Sequence, residues 1–209
     1  AMGCTTTTAM LTIHNMATWM VSDYATSTVK EGYGTKLTSG ELLASYCLTE
    51  ANAGSDAASL TTKAVKTGNE YVITGNKVFI SGAGETDILI VMARTGEAGA
   101  KGISAFVVDA ASEGVSFGRQ EEKMGWNAQP TRTINFDQVR VPAENLLGNK
   151  GYGFTIAMKG LDGGRINIAT VGLGTAQQAL SDALAYVNQR KQFGKSIAAF
   201  QGMQFNRVA

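Results

Sequence analysis

The first zone of the chain shows the spacing of an amphipathic helix. Between Thr5 and about Thr35, apolar residues recur three and four positions apart, as in Met10, Leu11, Ile13, Met16, Ala17, Met20 and Val21. This spacing places apolar side chains on one face of a helix. The pattern therefore predicts a helical zone, in which His14 is a core or boundary residue.

From about Ser45 to Leu147 the pattern changes to short runs rich in β-branched and aromatic residues. These runs cover residues 71–73, 77–80, 88–93, 104–108, 115–117 and 131–136. Turn-forming residues stand between them, namely Gly68-Asn69, Gly75-Asn76 and Gly82-Ala83-Gly84. Many short strands separated by turns predict a β-barrel or β-sandwich.

After residue 151 the helical spacing returns and continues past residue 180. Residues 200–209 have the pattern of the start of a further amphipathic helix, and no terminating glycine follows. We therefore expect a chain that lacks part of its natural length. The zones predict an α+β fold in three parts: a helical zone (1–44), a central β-barrel or sandwich domain (45–150), and the start of a C-terminal helical bundle (151–209).

The composition narrows the class of function. The 18 Lys and Arg nearly balance the 17 Asp and Glu, and no basic cluster interleaved with aromatic residues occurs, so nucleic-acid binding is disfavoured. Two cysteines and one histidine are too few for a disulfide framework or a Cys/His zinc site, so we expect no metal. No apolar run reaches the roughly 18 residues of a membrane span. Because the first residues also lack an export-signal pattern, we expect a cytoplasmic protein.

Glycine makes up 25 of the 209 residues, well above the usual level of about 7%. A dinucleotide-binding fingerprint is not formed, because residues 82–84 precede a predicted strand and residues 172–174 follow none. Segment 46–56 (Tyr-Cys-Leu-Thr-Glu-Ala-Asn-Ala-Gly-Ser-Asp) instead combines a short strand with a turn of small and hydroxyl-bearing residues. Such a loop can wrap a flat polar ring or a pyrophosphate, although an ordinary surface turn has the same composition.

A series of ordered motifs resembles those of the acyl-CoA dehydrogenases. The motifs are segment 46–56, residues 75–81 (Gly-Asn-Lys-Val-Phe-Ile-Ser), 123–126 (Lys-Met-Gly-Trp), 139–148 (Val-Arg-Val-Pro-Ala-Glu-Asn-Leu-Leu-Gly), 164–169 (Gly-Arg-Ile-Asn-Ile-Ala) and 190–194 (Arg-Lys-Gln-Phe-Gly). The resemblance covers nearly the whole chain and is nearest to the branched-chain members. It implies an FAD enzyme that converts a short or branched acyl-CoA to a 2-enoyl-CoA. It further implies electron transfer to an electron-transfer flavoprotein, a homotetramer and, in a eukaryote, the mitochondrial matrix. The resemblance also implies that residues 1–44 are a remnant of an N-terminal helical domain and that the chain is truncated at both ends.

The resemblance also assigns roles to individual residues. Those implied at the flavin are Tyr46, Leu48, Thr49, Gly54, Ser55, Phe79, Ile80 and Ser81, with Thr49 donating near the reactive ring nitrogen and Phe79 stacking on the ring. Those implied to reach the flavin of a neighbouring subunit are Arg190, Phe193, Phe200 and Gln201. Those implied at the acyl-CoA are Ser55, Asp162, Gly163, Gly164 and Arg165. Without the resemblance, Phe79 would be interpreted as a core aromatic and Arg190 as a cation at a helix end.

The implied reaction removes the α-proton of the thioester, which requires a carboxylate at the α-carbon. In a minority of family members this glutamate stands just before the helical arginine, and here Gly164 occupies that position. We therefore assign no catalytic residue in the chain and expect the base beyond Ala209, so that the 209 residues alone would be inactive. Two alternatives remain open: a non-catalytic flavin-binding or assembly module, and an acyl-CoA oxidase of the same fold.

Overall fold

The computed structural model describes residues 3–205, and its N-terminal zone is helical as predicted. Helix α1 (Thr5–Tyr24) buries the apolar face made by Met16, Ala17, Met20 and Val21. Ala25 is extended, and the Thr26 side chain accepts a hydrogen bond from the amide of Val29, which starts the next helical stretch. That stretch consists of α2 (Ser27–Val29), a π-helical turn (Lys30–Gly34) and α3 (Thr35–Ser39).

His14 is buried and joins α1 to the two segments that follow it. The amide of Ala44 donates to His14 Nδ1 at 3.1 Å, so Nδ1 is the unprotonated nitrogen of the ring. Nε2 then carries the proton and donates to the carbonyl of Leu37 at 2.9 Å. The prediction of a core or boundary histidine is confirmed, and its role is to fix the chain where the helices give way to the sheet.

Eight strands form one mixed sheet in the order β6-β7-β3-β2-β4-β5-β8, with β1 beside β4. The strands are β1 (Ala44–Cys47), β2 (Lys63–Thr67), β3 (Glu70–Ser81), β4 (Ile88–Arg94), β5 (Ile103–Asp109), β6 (Val115–Phe117), β7 (Thr131–Pro142) and β8 (Leu146–Leu147). Strand β1 runs parallel to β4, whereas β3 pairs antiparallel with both β2 and β7. The α+β fold with a central β domain is thereby confirmed.

Most of the third zone is one long helix, α4 (Gly153–Gln189). It packs closely against α1, and a Cβ added at Gly160 would clash with Cε of Met20. A two-stranded hairpin, β9 (Lys191–Gln192) and β10 (Lys195–Ser196), leads to the short helix α5 (Gln201–Phe205). The predicted final helix thus begins at Gln201, and its residues 206–209 lie outside the described residues. Within residues 3–205, no helix combines the length and the apolar character that crossing a membrane requires.

Strand β4 is buried on both faces. Ile88, Ile90 and Met92 join a core with α1 and α4, while Leu89, Val91 and Ala93 join a second core with side chains of β3 and β7. The sheet therefore folds over on itself, which is the packing expected of a barrel or sandwich. Burial of both faces also explains why this strand is a continuous apolar run rather than an alternating one.

The turn predicted at Gly75-Asn76 is wrong, and several short strands were not predicted. Gly75 and Asn76 lie inside β3, where the register against β7 shifts between Ile73 and Gly75. Gly75 has φ +148°, and a Cβ there would lie 2.6 Å from Oγ1 of Thr62. The extra residue of this irregularity lies on β7, at residues 137–138, and the glycine permits the close approach of Thr62 to β3. Strand β2, strand β8 and the β9–β10 hairpin were not predicted, and the division into three domains stays a prediction.

Candidate flavin and substrate site

The loop after β1 is held in place by main-chain hydrogen bonds. The amide of Val78 in β3 donates to the carbonyl of Thr49 at 2.9 Å. Glu50 and Ala53 exchange two hydrogen bonds of 3.1 Å each, which closes a tight turn at residues 51–52. The segment 46–56 is therefore an anchored loop rather than a loose surface turn, and it leaves the half-buried Thr49 facing β3.

Phe79 stands on a second β-bulge of β3. Lys77 pairs with Ile134 and Ile80 with Arg132, so residues 78 and 79 of β3 together oppose one residue of β7. Phe79 has φ +58°, a conformation that is costly for an aromatic residue, and 64% of its surface is exposed. The interpretation of Phe79 as a core aromatic is therefore wrong, because the bulge turns the ring out of the alternating pattern.

The other residues predicted at the flavin differ in what they can offer. The side chains of Leu48 and Ile80 are buried in the core, so only their main-chain atoms could reach a ligand. The hydroxyls of Thr49, Ser55 and Ser81 form no hydrogen bond to any other described residue. The carbonyl of Ser81 accepts from the Ser45 hydroxyl at 2.7 Å, which fixes the end of β3. Gly54 is exposed in the loop. We refer to Thr49, Ser55, Phe79 and Ser81 as the platform.

A buried ion pair, absent from the predicted site residues, lies between the loop and β3. Lys77 is fully buried, and its Nζ donates to the carbonyl of Leu48 at 3.0 Å and to Oε1 of Glu50 at 2.8 Å. The Glu50 carboxylate also accepts from the Thr61 amide, the Thr61 hydroxyl and the Thr62 amide, at 2.6, 2.8 and 3.0 Å. Glu50 lies in segment 46–56 and Lys77 in the motif at residues 75–81, but nothing in the sequence indicates that either charged side chain is buried.

The electrostatics of this pair follow from its contacts. Burial alone would raise the pKa of Glu50, but the positive charge of Lys77 and the hydrogen bonds from Lys77, Thr62 and Thr61 lower the pKa to about 2. Burial lowers the pKa of Lys77, and Glu50 opposes that change. Glu50 is therefore ionised at neutral pH.

A cleft of about 330 Å³ joins the start of the loop to α4. It brings Tyr46 together with Gly164 and Arg165, two of the residues predicted at the acyl-CoA. Its other lining residues are Thr12, Ile13, Met16, Leu161 and Ile168. Thr12, Ile13 and Met16 belong to α1 and were not predicted as site residues. The spacing of Ile13 and Met16 indicated a helix but gave no sign of a binding site. The cleft is apolar apart from a few polar groups, as expected for a pocket that takes an acyl chain.

Polar groups at the cleft are already oriented. The Tyr46 hydroxyl donates to the carbonyl of Ala157 on α4 at 3.5 Å, and burial, followed by the effect of Cys47, raises the pKa of Tyr46, so it stays protonated. Arg165 pairs with the exposed Asp162 one turn earlier on the helix. Gly163 is exposed and has open space around the position of a Cβ. Gly164 lines the cleft without a side chain.

The four residues predicted to reach a neighbouring subunit gather at the end of α4. Phe193 has φ +52° and is 92% exposed, and its ring meets that of Phe200 edge to face at 6.2 Å. Nζ of Lys195 lies 4.4 Å from the centre of the Phe200 ring. Arg190 and Gln201 are exposed beside them. These four residues line none of the cleft described above.

Comparison with known proteins gives the context of this site. The family model described as "Acyl-CoA dehydrogenase, middle domain" matches residues 45–139, and "Acyl-CoA dehydrogenase, C-terminal domain" matches residues 151–208. Mitochondrial isobutyryl-CoA dehydrogenase of Bos taurus is 48% identical over 205 residues, which is 98% of this chain and 49% of the relative. The caffeyl-CoA reductase-Etf complex subunit CarC of Acetobacterium woodii is 45% identical over 176 residues, or 84% of this chain and 46% of the relative.

The solved structure of butyryl-CoA dehydrogenase from Megasphaera elsdenii superposes with a TM-score of 0.88 at 40% sequence identity. The superposition covers 97% of this chain and 53% of that one. The chain thus spans about half the length of the relatives it matches. The two family models together cover more than half of the residues, in the order of the predicted zones. The chain belongs to the acyl-CoA dehydrogenase family.

Proposed function

We propose that the protein, as a whole, is an FAD-dependent dehydrogenase that converts a short or branched acyl-CoA to the 2-enoyl-CoA. The observation that carries the proposal is the position of Tyr46. This residue introduces the anchored loop of the platform and also lines the cleft with Gly164 and Arg165. A cofactor on the platform and an acyl thioester in the cleft would therefore meet at one residue.

The residues present fit a flavin. The platform offers an exposed aromatic ring at Phe79, suited to stacking on a flat heterocycle. It also offers hydroxyls at Thr49, Ser55 and Ser81 that have no protein partner within residues 3–205. Such donors match the carbonyl and nitrogen acceptors on the edge of an isoalloxazine ring. The main-chain atoms of Leu48 and Ile80, together with Gly54, would complete the contact.

The chain's own residues would bind and orient the reactants. The chemistry that FAD supplies when bound is acceptance of the hydride from the β-carbon of the substrate. Thr49 would stabilise the charge that develops at the cofactor by donating from its hydroxyl. Gly163 and Gly164 would let the thioester chain lie against α4, with Asp162 and Arg165 providing polar contacts to the CoA moiety and Ser55 contacting both ligands.

Removal of the α-proton needs a carboxylate, and none lines the cleft in the described part of the chain. We propose that this base comes from outside the 209 residues. We also propose that Arg190, Phe193, Phe200 and Gln201 complete the flavin site of a neighbouring subunit in a homotetramer. An electron-transfer flavoprotein is the proposed electron acceptor, and the cytoplasm, or the mitochondrial matrix in a eukaryote, is the proposed location.

The full-length protein tests this proposal in a turnover assay with isobutyryl-CoA, butyryl-CoA and longer acyl-CoAs. We expect a product lighter by two hydrogens that forms with an electron-transfer flavoprotein but slowly with oxygen alone. Rapid turnover with oxygen would instead support an oxidase. Stoichiometric FAD binding without product from any short or branched acyl-CoA would support a non-catalytic flavin-binding module.

A further inference from the structure

Two consecutive residues of β3 hold two consecutive carbonyls of the loop. Nζ of Lys77 binds the carbonyl of Leu48, and the amide of Val78 binds the carbonyl of Thr49. The next residue of the strand is Phe79, whose ring turns outward on the bulge. These two contacts therefore fix the distance between the loop that carries Thr49 and the part of β3 that carries Phe79.

Glu50 connects the same lysine to a third segment. Its main chain forms hydrogen bonds with Ala53, while its carboxylate accepts hydrogen bonds from Thr61, Thr62 and Lys77. The carboxylate bonds hold the loop against Lys77 of β3 and against residues 61–62, which lead into β2, whereas the main-chain bonds to Ala53 close the turn within the loop. The Glu50 carboxylate thus accepts hydrogen bonds from several fixed donors. These bonds restrict the main chain on either side of residue 50.

Stability alone is a weak reason for this arrangement. Removing two charges from water is costly, and an apolar pair of similar volume often gives a protein of equal or greater stability. What an apolar pair cannot supply is a directed bond to the Leu48 carbonyl. The charged pair specifies one position for the loop, whereas apolar packing would permit several.

We propose that Lys77 and Glu50 are a positioning pair that sets the distance between the Thr49 hydroxyl and the Phe79 ring for flavin binding. The inference rests on the proposed function, because it takes the platform to be the FAD site. Neither residue needs to touch the cofactor. The pair acts through the main chain of the loop and through the strand that carries the bulge.

The test compares Glu50→Gln, Lys77→Met and the double variant in the full-length protein. Each single variant leaves one buried charge without its partner, whereas the double variant removes both charges. We expect each single variant to lose thermal stability and to weaken FAD binding roughly tenfold, by analogy with the loss of affinity when an outer-shell partner of a metal ligand is removed. We expect the double variant to recover stability while FAD binding stays weak and the visible circular dichroism of the flavin stays altered.

Asn145→Ala is the control, because Nδ2 of Asn145 also donates a side-chain hydrogen bond to a main-chain carbonyl, that of Val107, and this bond involves no platform residue. It should lower stability without changing FAD affinity. If the double variant recovers FAD affinity and the circular dichroism spectrum together with stability, the pair is merely structural and the inference is overturned.

Hydrogen exchange in the cofactor-free protein separates this inference from the proposed function. We expect the Lys77→Met variant to exchange faster at residues 48–53 and at 78–81 together, with or without any affinity for FAD. Faster exchange in only one of the two segments would contradict the positioning role. Failure of the unaltered protein to bind FAD would instead contradict the proposed function.

Discussion

Phe79 holds a backbone conformation that an aromatic residue rarely adopts, and it does so with most of its ring exposed. Neither burial nor a hydrogen bond of the side chain offsets that strain. Strained residues of this kind concentrate at sites where function requires the geometry. Gln138 has a similar φ of +52° at the other irregularity of the same strand pair, but it offers no ring.

This contrast gives a prediction for two matched variants. Phe79→Gly and Gln138→Gly should each raise the free energy of unfolding by up to about 1 kcal/mol, because glycine adopts positive φ without strain. Only Phe79→Gly should weaken FAD binding, since only it removes a stacking ring. Urea unfolding and fluorescence titration with FAD measure the two effects. Equal FAD affinity in both variants would show that Phe79 plays no part in binding.

The ionisation of Glu50 predicts how stability depends on pH. Its pKa is about 2 in the folded protein against an ordinary 4.5, so the carboxylate adds stability above pH 4.5. That contribution should fall as the pH decreases from 4.5 towards 2, since protonation then breaks the pair with Lys77. Urea unfolding across this range should show a steeper loss of stability for the unaltered protein than for the Glu50→Gln, Lys77→Met double variant. Parallel curves would contradict the assignment.

At the scale of elements, α4 carries glycines that differ in what surrounds them. A Cβ at Gly164 would meet only Sδ of Met16 at 3.8 Å, an ordinary contact, and a Cβ at Gly172 would meet nothing within 4 Å. Neither glycine is needed for packing, and each weakens the helix relative to alanine. Only Gly164 lines the cleft.

Gly164→Ala and Gly172→Ala should therefore each stabilise the protein by roughly 1 kcal/mol. Gly164→Ala should in addition weaken acyl-CoA binding several-fold, because the new methyl group occupies the cleft, whereas Gly172→Ala should leave binding unchanged. Thermal unfolding and calorimetric titration with a non-reactive acyl-CoA analogue measure these outcomes. Unchanged binding in both variants would place the thioester elsewhere.

Elements were predictable where local pattern and long-range packing agree. Strand β4 is an apolar run because both its faces are buried, and the start of α4 buries Ile156 and Ala157 in the core that it shares with α1. The turn at Gly75-Asn76 was wrong because pairing with β7 outweighs the local preference of those residues. Pairing with β7 also creates the bulge that turns Phe79 outward. The alternating pattern of the strand alone predicts a buried Phe79, and only the family resemblance indicated a role at the flavin. Lys77 and Glu50 are 27 residues apart, and nothing local indicates that they meet.

At the scale of the whole molecule, the platform and the cleft come from different elements, and Tyr46, which lines the cleft, lies in β1 directly before the loop that carries Thr49. The platform comes from the loop after β1 and from β3, whereas the cleft lies between α1, β1 and α4. The residues at the end of α4 form a separate exposed cluster, which suits contact with another subunit. The surface proposed for the cofactor and the cleft proposed for the substrate are thus built from neighbouring parts of the fold, and the third group is the one proposed to contact a neighbouring subunit.

The most direct test of the account is anaerobic mixing of the full-length, FAD-loaded protein with isobutyryl-CoA, followed in the visible absorption of the flavin. The oxidised flavin band should bleach, and one equivalent of the corresponding 2-enoyl-CoA should form. A flavin band that stays unchanged with isobutyryl-CoA and with every other short or branched acyl-CoA would contradict it.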